Sequence, residues 1–269
     1  MKIFYNKKDV TRALNFEKNV GFIPTMGALH KGHISLIKKS KLQCKKTLLS
    51  IFVNKPQFNK SNDYKSYPRN IKHDIRLIQK NKVDYLYLPK SNEIYPNGPN
   101  KNIKINSFHK QLCGKFRPNH FHAVVDVISR FIDIINPTKI YLGEKDLQQL
   151  LLIKDFLISK KIKNKINMCK TVREKKGIPY SSRNLLLKNK HKIIAAKIYK
   201  HIKKNKIKIV KRKIKLRNIK KLIYKMGVDS IDYVNIIDIN KIIKPYIKKR
   251  KYKIFLAYNI NKVRLIDNI

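Results

Sequence analysis

The chain has 269 residues, 42% of them apolar, and a formal net charge of +48; this suits a folded protein with a substantial core in two domains and excludes a disordered chain. No apolar run approaches the ~20 residues that cross a bilayer, Met1–Asp9 has no secretory apolar region, and Cys44, Cys113 and Cys169 form no Cys-x-x-Cys pair, so a reducing cytoplasm is the expected setting. Lysines number 53 against 11 arginines, and Lys, Ile and Asn, which share AT-rich codons, rise together; the charge therefore reads as codon drift, with no specific nucleic-acid partner, because bidentate recognition of phosphate and bases favours Arg.

In chain order, Val20–Thr25 reads as a strand, followed by a Gly-bearing loop and a helix over Ile34–Cys44. A strand at Thr47–Val53, a helix at Ile71–Asn81 and a strand at Val83–Leu88 come next. Helices follow at Phe121–Ile135 and Leu147–Ser159, with strands at Lys139–Leu142 and Ile166–Val172. Strands alternating with helices imply an α/β fold: a doubly wound, parallel, Rossmann-like sheet over residues 1–176. From Lys175 to Val228 there is no acidic residue and there are 20 basic ones. Apolar periodicity continues through helices at Lys188–Lys204 and Leu216–Met226, then strands at Asp232–Ile237 and Tyr252–Tyr258. The expectation is a smaller α+β domain over 177–269, with lysines on a solvated face, covering the active site.

Ligands of open parallel sheets sit at the carboxyl ends of strands. Three segments satisfy that rule: Pro24-Thr25-Met26-Gly27-Ala28-Leu29-His30-Lys31-Gly32-His33, the stretch after Val53, and Gly143-Glu144-Lys145-Asp146. A helix N-terminus offers free N–H groups and a positive dipole end, which suits phosphate. Gly32 lets backbone approach a ligand, and His30 and His33 can donate hydrogen bonds or protons. Alone, the two histidines are also compatible with an i, i+3 metal pair.

His-x-Gly-His after a first strand resembles the nucleotidyltransferases that act at the α-phosphate of ATP. Further motifs sharpen this: Phe52-Val53-Asn54-Lys55-Pro56-Gln57-Phe58, Tyr67-Pro68-Arg69, Arg117-Pro118-Asn119-His120-Phe121, Gly143-Glu144-Lys145-Asp146-Leu147-Gln148-Gln149 and Ser181-Ser182-Arg183-Asn184. In this order, from about residue 20 to the closing Arg264–Asn268, the chain resembles the pantothenate synthetase (pantoate–β-alanine ligase) family. The resemblance implies ATP-dependent joining of (R)-pantoate to β-alanine through a pantoyl adenylate, with Mg2+ and a homodimeric assembly. It also implies an ATP site formed by Met26, Gly27, Ala28, Leu29, His30, Lys31, Gly32 and His33, by Gly143, Glu144, Lys145 and Asp146, and by Val172, Tyr180, Ser181, Ser182 and Arg183. His33, His30 and Lys145 take catalytic positions, Gln57 touches pantoate and β-alanine, Gln149 touches pantoate, and Asp74 is the remaining magnesium contact.

The chemistry of these residue types fits. A carboxylate condenses poorly with an amine until its oxygen becomes a good leaving group, and adenylation supplies one. Charge then grows on the α-phosphoryl group and on pyrophosphate, where His30, His33, Lys145 and Arg183 are suitable donors. Gln57 and Gln149 are neutral donor–acceptors suited to a hydroxy acid. The chain departs from the family at Lys55-Pro56, where proline has moved by one residue, at Cys113 in place of Glu, at Asn119 in place of Gly, at Ala123 and Asp126, at Tyr180 in place of Met, and at His73-Asp74, where an acidic pair is reduced. The competing readings are another His-x-Gly-His nucleotidyltransferase that keeps the nucleotide on its product, and a basic RNA-binding protein.

Overall fold

The computed structural model describes residues Met1–Ile269. Six parallel strands form the first sheet: β1 (Lys2–Phe4), β2 (Val20–Thr25), β3 (Lys46–Ile51), β4 (Tyr85–Tyr87), β5 (Lys139–Gly143) and β6 (Lys165–Cys169), in the order β1-β4-β3-β2-β5-β6. Strand residues alternate between two apolar layers. Phe22, Leu48, Tyr87 and Ile140 enter one core, and Ile23, Leu49, Leu86 and Tyr141 the other. A sheet buried on both faces needs helices on both. Helices α1 (Lys7–Leu14), α4 (His120–Ile135) and α5 (Leu147–Ser159) cover the first layer. Helices α2 (Lys31–Gln43) and α3 (Ile71–Lys80) cover the second. Each fully buried large apolar side chain contributes about 1.5–3 kcal/mol.

Helix α4 shows how local sequence sets its ends. Asn119 stands before it at φ 60°, and Asn136 after it at φ 44°. Both are left-handed positions that Asn tolerates better than other non-Gly residues. Pro137 then stops continuation. Along the helix, Phe121, Val124, Ile128, Phe131 and Ile135 recur at helical spacing and are buried.

The arrangement that matters for a ligand is the junction of β2 and β5. Their pairing covers only Gly21↔Lys139 and Phe22↔Ile140. Beyond it, Ile23–Thr25 pairs with β3 through Leu49–Ile51, and Tyr141–Gly143 pairs with β6. The carboxyl ends of β2 and β5 thus part where the strand order reverses, which opens a crevice.

A second, antiparallel sheet contains β7 (Ser230–Asp238), β8 (Tyr252–Ile260) and β9 (Val263–Asn268). Val234, Ile254, Leu256 and Tyr258 pack under helices α6 (Asn189–Val210) and α7 (Leu216–Lys225). Tyr233, Phe255 and Ala257 face the other way, onto Phe108, Phe121, Leu147 and Leu151 of the first unit. The long basic stretch is therefore folded, with Ala195, Ile198, Ile202 and Ile209 of α6 buried. No helix is long and apolar enough to cross a membrane. The short elements β1, α1 and β9 are additions to the elements expected from sequence.

Candidate active site

The crevice encloses about 300 Å³. Of the residues expected at a nucleotide site, Met26, His30, Gly32, His33, Gly143, Lys145, Asp146, Val172, Tyr180, Ser181, Ser182 and Arg183 line it, as do Gln57 and Gln149. Gly27, Ala28, Leu29, Lys31 and Glu144 are not part of the lining. Lys31 is exposed, and Ala28 and Leu29 are buried beneath the loop. Glu144 pairs with Lys253 at 2.8 Å.

The two histidines are fixed by the backbone of the helix they begin. His30 caps α2: its Nδ1 accepts Gly32 N–H at 3.1 Å. His33 Nδ1 accepts His30 N–H at 3.3 Å. The rings stack with centroids 4.0 Å apart. A nitrogen that accepts carries no proton, so each neutral ring bears its hydrogen on Nε2, the edge left free for a ligand. Burial lowers the His30 pKa to about 4, with the Lys145 charge adding to the effect. Burial, then His30 and Lys145, hold His33 well below the ordinary value. Both rings are therefore neutral hydrogen-bond donors at pH 7. Gly32 is required by this packing, because a Cβ there would lie 2.8 Å from His30 Cε1.

Asp74 departs from its expected role. It is 1% exposed, and its two oxygens accept Ala28 N–H at 2.8 Å and Leu29 N–H at 2.7 Å. With both oxygens engaged beneath the loop, this carboxylate does not fit a magnesium ligand; it braces the loop from below. Burial raises its pKa, and the two N–H bonds oppose that rise. Gly27 at φ +80° and Ala28 at φ 49° give the loop its left-handed turn. Ser182 Oγ donates to Ala28 O at 3.1 Å and ties in the Ser-Ser-Arg-Asn segment.

Gln57 is held from all sides. Its Nε2 donates to Met26 Sδ at 2.9 Å, and Asn54 Nδ2 donates to its Oε1 at 3.2 Å. Its backbone carbonyl accepts from His120 Nδ1 at 2.9 Å and from Arg117 Nη2 at 3.2 Å. His120 Nε2 then accepts from Arg117 Nη1 at 3.0 Å. Burial, followed by the charges of Arg183 and others, lowers the Arg117 pKa to about 10, which leaves it charged at pH 7. Gln148 is buried and takes Cys113 N–H while donating to Phe108 O and Gln111 O. It serves the scaffold, and Gln149 is the glutamine offered along the cleft. Arg183 faces the cleft paired to Asp63 at 3.1 Å.

The departures from the family pattern find places. Asn119 adopts the left-handed conformation that glycine would supply. Pro56 sits inside a single 3-10 turn, Lys55–Gln57, that leads into the buried Gln57. Cys113 Sγ lies 3.0 Å from Tyr233 OH, with Arg264 Nη1 3.6 Å away. Tyr180 places its ring beside His30, centroids 6.1 Å apart. The Arg117–His120 clamp and the Arg173–Asp267 pair escaped sequence reasoning as contacts, although Arg117 and His120 belong to a motif that the sequence displays.

Comparison with known proteins agrees with this geometry along the whole chain. The Pantoate-beta-alanine ligase family model matches residues 2–269. The pantothenate synthetase of Francisella tularensis subsp. novicida is 39% identical over 260 residues, covering 96% of this chain and 92% of its own. That of Thermodesulfovibrio yellowstonii is 36% identical over 269 residues, covering 97% and 95%. The pantoate-beta-alanine ligase of Francisella tularensis, crystallised with beta-gamma ATP and beta-alanine, matches with a TM-score of 0.86 at 37% identity, over 100% of this chain and 97% of that one. The Thermus thermophilus enzyme matches with a TM-score of 0.91 at 29% identity, over 100% and 99%. With the crevice, its motifs and the full length in register, this chain belongs to the pantoate–β-alanine ligase family.

Proposed function

We propose that this chain joins (R)-pantoate to β-alanine at the expense of ATP. A carboxylate oxygen of pantoate attacks the α-phosphorus, the bond to pyrophosphate breaks, and pantoyl adenylate forms. The β-alanine amine then attacks the acyl carbon, the bond to AMP breaks, and the amine loses a proton. The nucleotide lies across the Met26–His33 loop, the Gly143–Asp146 loop and the Tyr180–Arg183 segment, beside Val172. Pantoate lies against Gln57 and Gln149, with β-alanine entering next to Gln57.

The observation that carries this reading is the pair of histidines that line the crevice and whose Nδ1 atoms both accept backbone N–H groups. Their Nε2–H groups meet charge as it grows on the phosphates, and Lys145 supplies a full positive charge. Because both Nδ1 atoms stay occupied as acceptors, the rings serve as neutral donors from Nε2–H, and His33 needs no added proton to meet the phosphate. Arg183 exchanges Asp63 for a phosphate oxygen. Magnesium arrives with ATP as part of the substrate.

The same reading divides the chain at residues 1–176 and 177–269, places the enzyme in the cytoplasm, and assigns it a homodimer, to be checked by sedimentation. The deciding experiment is isotope exchange between pyrophosphate and ATP. Exchange that requires pantoate and not β-alanine is the expected result. Exchange that strictly needs β-alanine would refute a separate adenylate, and nucleotide retained on the final product would favour a transferase.

A further inference from the structure

The loop that carries Lys145 is joined by its backbone to the last strand of the chain, beside the Glu144–Lys253 pair that ties it to β8. Asn268 Nδ2 donates both of its hydrogens, to Glu144 O at 2.7 Å and to Lys145 O at 2.9 Å. Two bonds from one amide to consecutive carbonyls fix the peptide planes on either side of Lys145, and with them the direction in which its side chain leaves the backbone. Among side chains, only the carboxamides combine two such hydrogens with neutrality.

Asn268 is in turn oriented. Its N–H donates to Asp267 Oδ1 at 2.8 Å, and Arg173 binds both Asp267 oxygens at 2.7 and 2.8 Å. Arg173 lies over the Tyr199 ring, 4.0 Å from its centroid. The ladder pairs Asp267 with Leu256 and Asn268 with Phe255, so β8 sets the height of both residues. Asp267 and Asn268 are 7% and 3% exposed. A buried ion pair and a buried amide are poor ways to stabilise a fold compared with apolar packing. Here they place a cation at the crevice.

We propose that Asn268, held by Asp267 and Arg173, is a positioning residue for Lys145. This inference rests on the ATP chemistry proposed above. The test is a double-mutant cycle read by pantoate-dependent pyrophosphate–ATP exchange. Asn268→Leu keeps the side-chain volume and removes both donors; the amide Oδ1 has no partner to lose. It is expected to lower exchange at saturating ATP by about 10- to 10²-fold, as small misplacements of a reacting group do. In a Lys145→Ala background the same substitution should cost less than about twofold, because its effect runs through the lysine. Asp267→Asn, which keeps shape and weakens the Arg173 pair, gives a milder version of the same cycle should the leucine variant fail to fold. Losses that multiply independently of Lys145, or a lowered melting temperature with unchanged exchange, would overturn the inference alone. Absence of exchange in the unsubstituted protein would overturn the proposed reaction and this inference with it.

Discussion

Replacing Gly32 by alanine separates the chemistry of this site from its stability. Gly32 lies in the first turn of α2, where its N–H donates to His30 Nδ1. A Cβ at this position would lie 2.8 Å from His30 Cε1 and 2.9 Å from Nδ1. Ordinary contact begins at 3.4 Å, so the ring must withdraw by at least about half an ångström, or rotate away and lose its cap. Loss of a helix cap costs about 1 kcal/mol. Alanine in place of glycine returns roughly 0.5–1 kcal/mol in a helix. The two changes nearly cancel, and the melting temperature should move by a few degrees at most. Catalysis has no such compensation: the His30 ring leaves its place and His33, stacked on it, loses its support. Pantoate-dependent pyrophosphate–ATP exchange should fall by about 10²-fold. Near-normal exchange in a folded Gly32→Ala protein would refute the assignment of His30 as a donor placed by the helix start.

His33→Ala should reduce the same exchange by roughly 10²-fold or more with the fold intact, as judged by circular dichroism and thermal melting. For pH, the folded His30 titrates near 4 whereas the free ring does so at 6.5. The unfolded chain therefore gains a proton that the folded one refuses, so stability is complete above about pH 6.5 and declines as pH falls toward 4, by up to about 3 kcal/mol from this ring. Denaturant titrations between pH 7 and 4.5 check this, and a His30→Gln protein with an equally steep acid decline would contradict it. Asp74→Asn should cost about 1–3 kcal/mol by removing one acceptor from the Ala28–Leu29 turn. The magnesium concentration giving half-maximal exchange should stay the same, and a rise in it would restore Asp74 as a metal ligand.

The legibility of this chain varies with the kind of constraint. The strand expected at Val20–Thr25 has its observed ends because its apolar run stops at a loop with its own turn residues. The strands expected at Thr47–Val53 and Ile166–Val172 are too long, since the ladders end at Ile51 and Cys169. The residues beyond, such as Phe52 and Val172, line the crevice. Apolar character there serves the ligand cavity, and periodicity cannot tell the two uses apart. Strand β9 escapes a reading by pattern because its buried positions include Asp267 and Asn268. Polar residues in a core break the alternation that marks a strand. Asp74 is legible as a carboxylate near the site, but which groups its oxygens meet depends on the approach of α3 to a loop 45 residues earlier. The histidine pair is the opposite case: cap, ring and backbone donor lie within four residues, so sequence spacing alone largely sets the geometry.

The two-faced sheet has a consequence for how the chain is made. During synthesis, β6 completes the first sheet at Cys169, long before β7 and β8 leave the ribosome. In that interval Phe108, Leu112, Phe121, Leu147 and Leu151 have no cover, because Tyr233, Phe255 and Ala257 do not yet exist. Exposed apolar surface on a partly made chain invites association with other chains. The lysine-rich segment between Lys175 and Val228 emerges during that interval and confers a strong like charge on every nascent copy. Like charge opposes such association, and it acts until β7 and β8 bring Tyr233, Phe255 and Ala257 to close the patch.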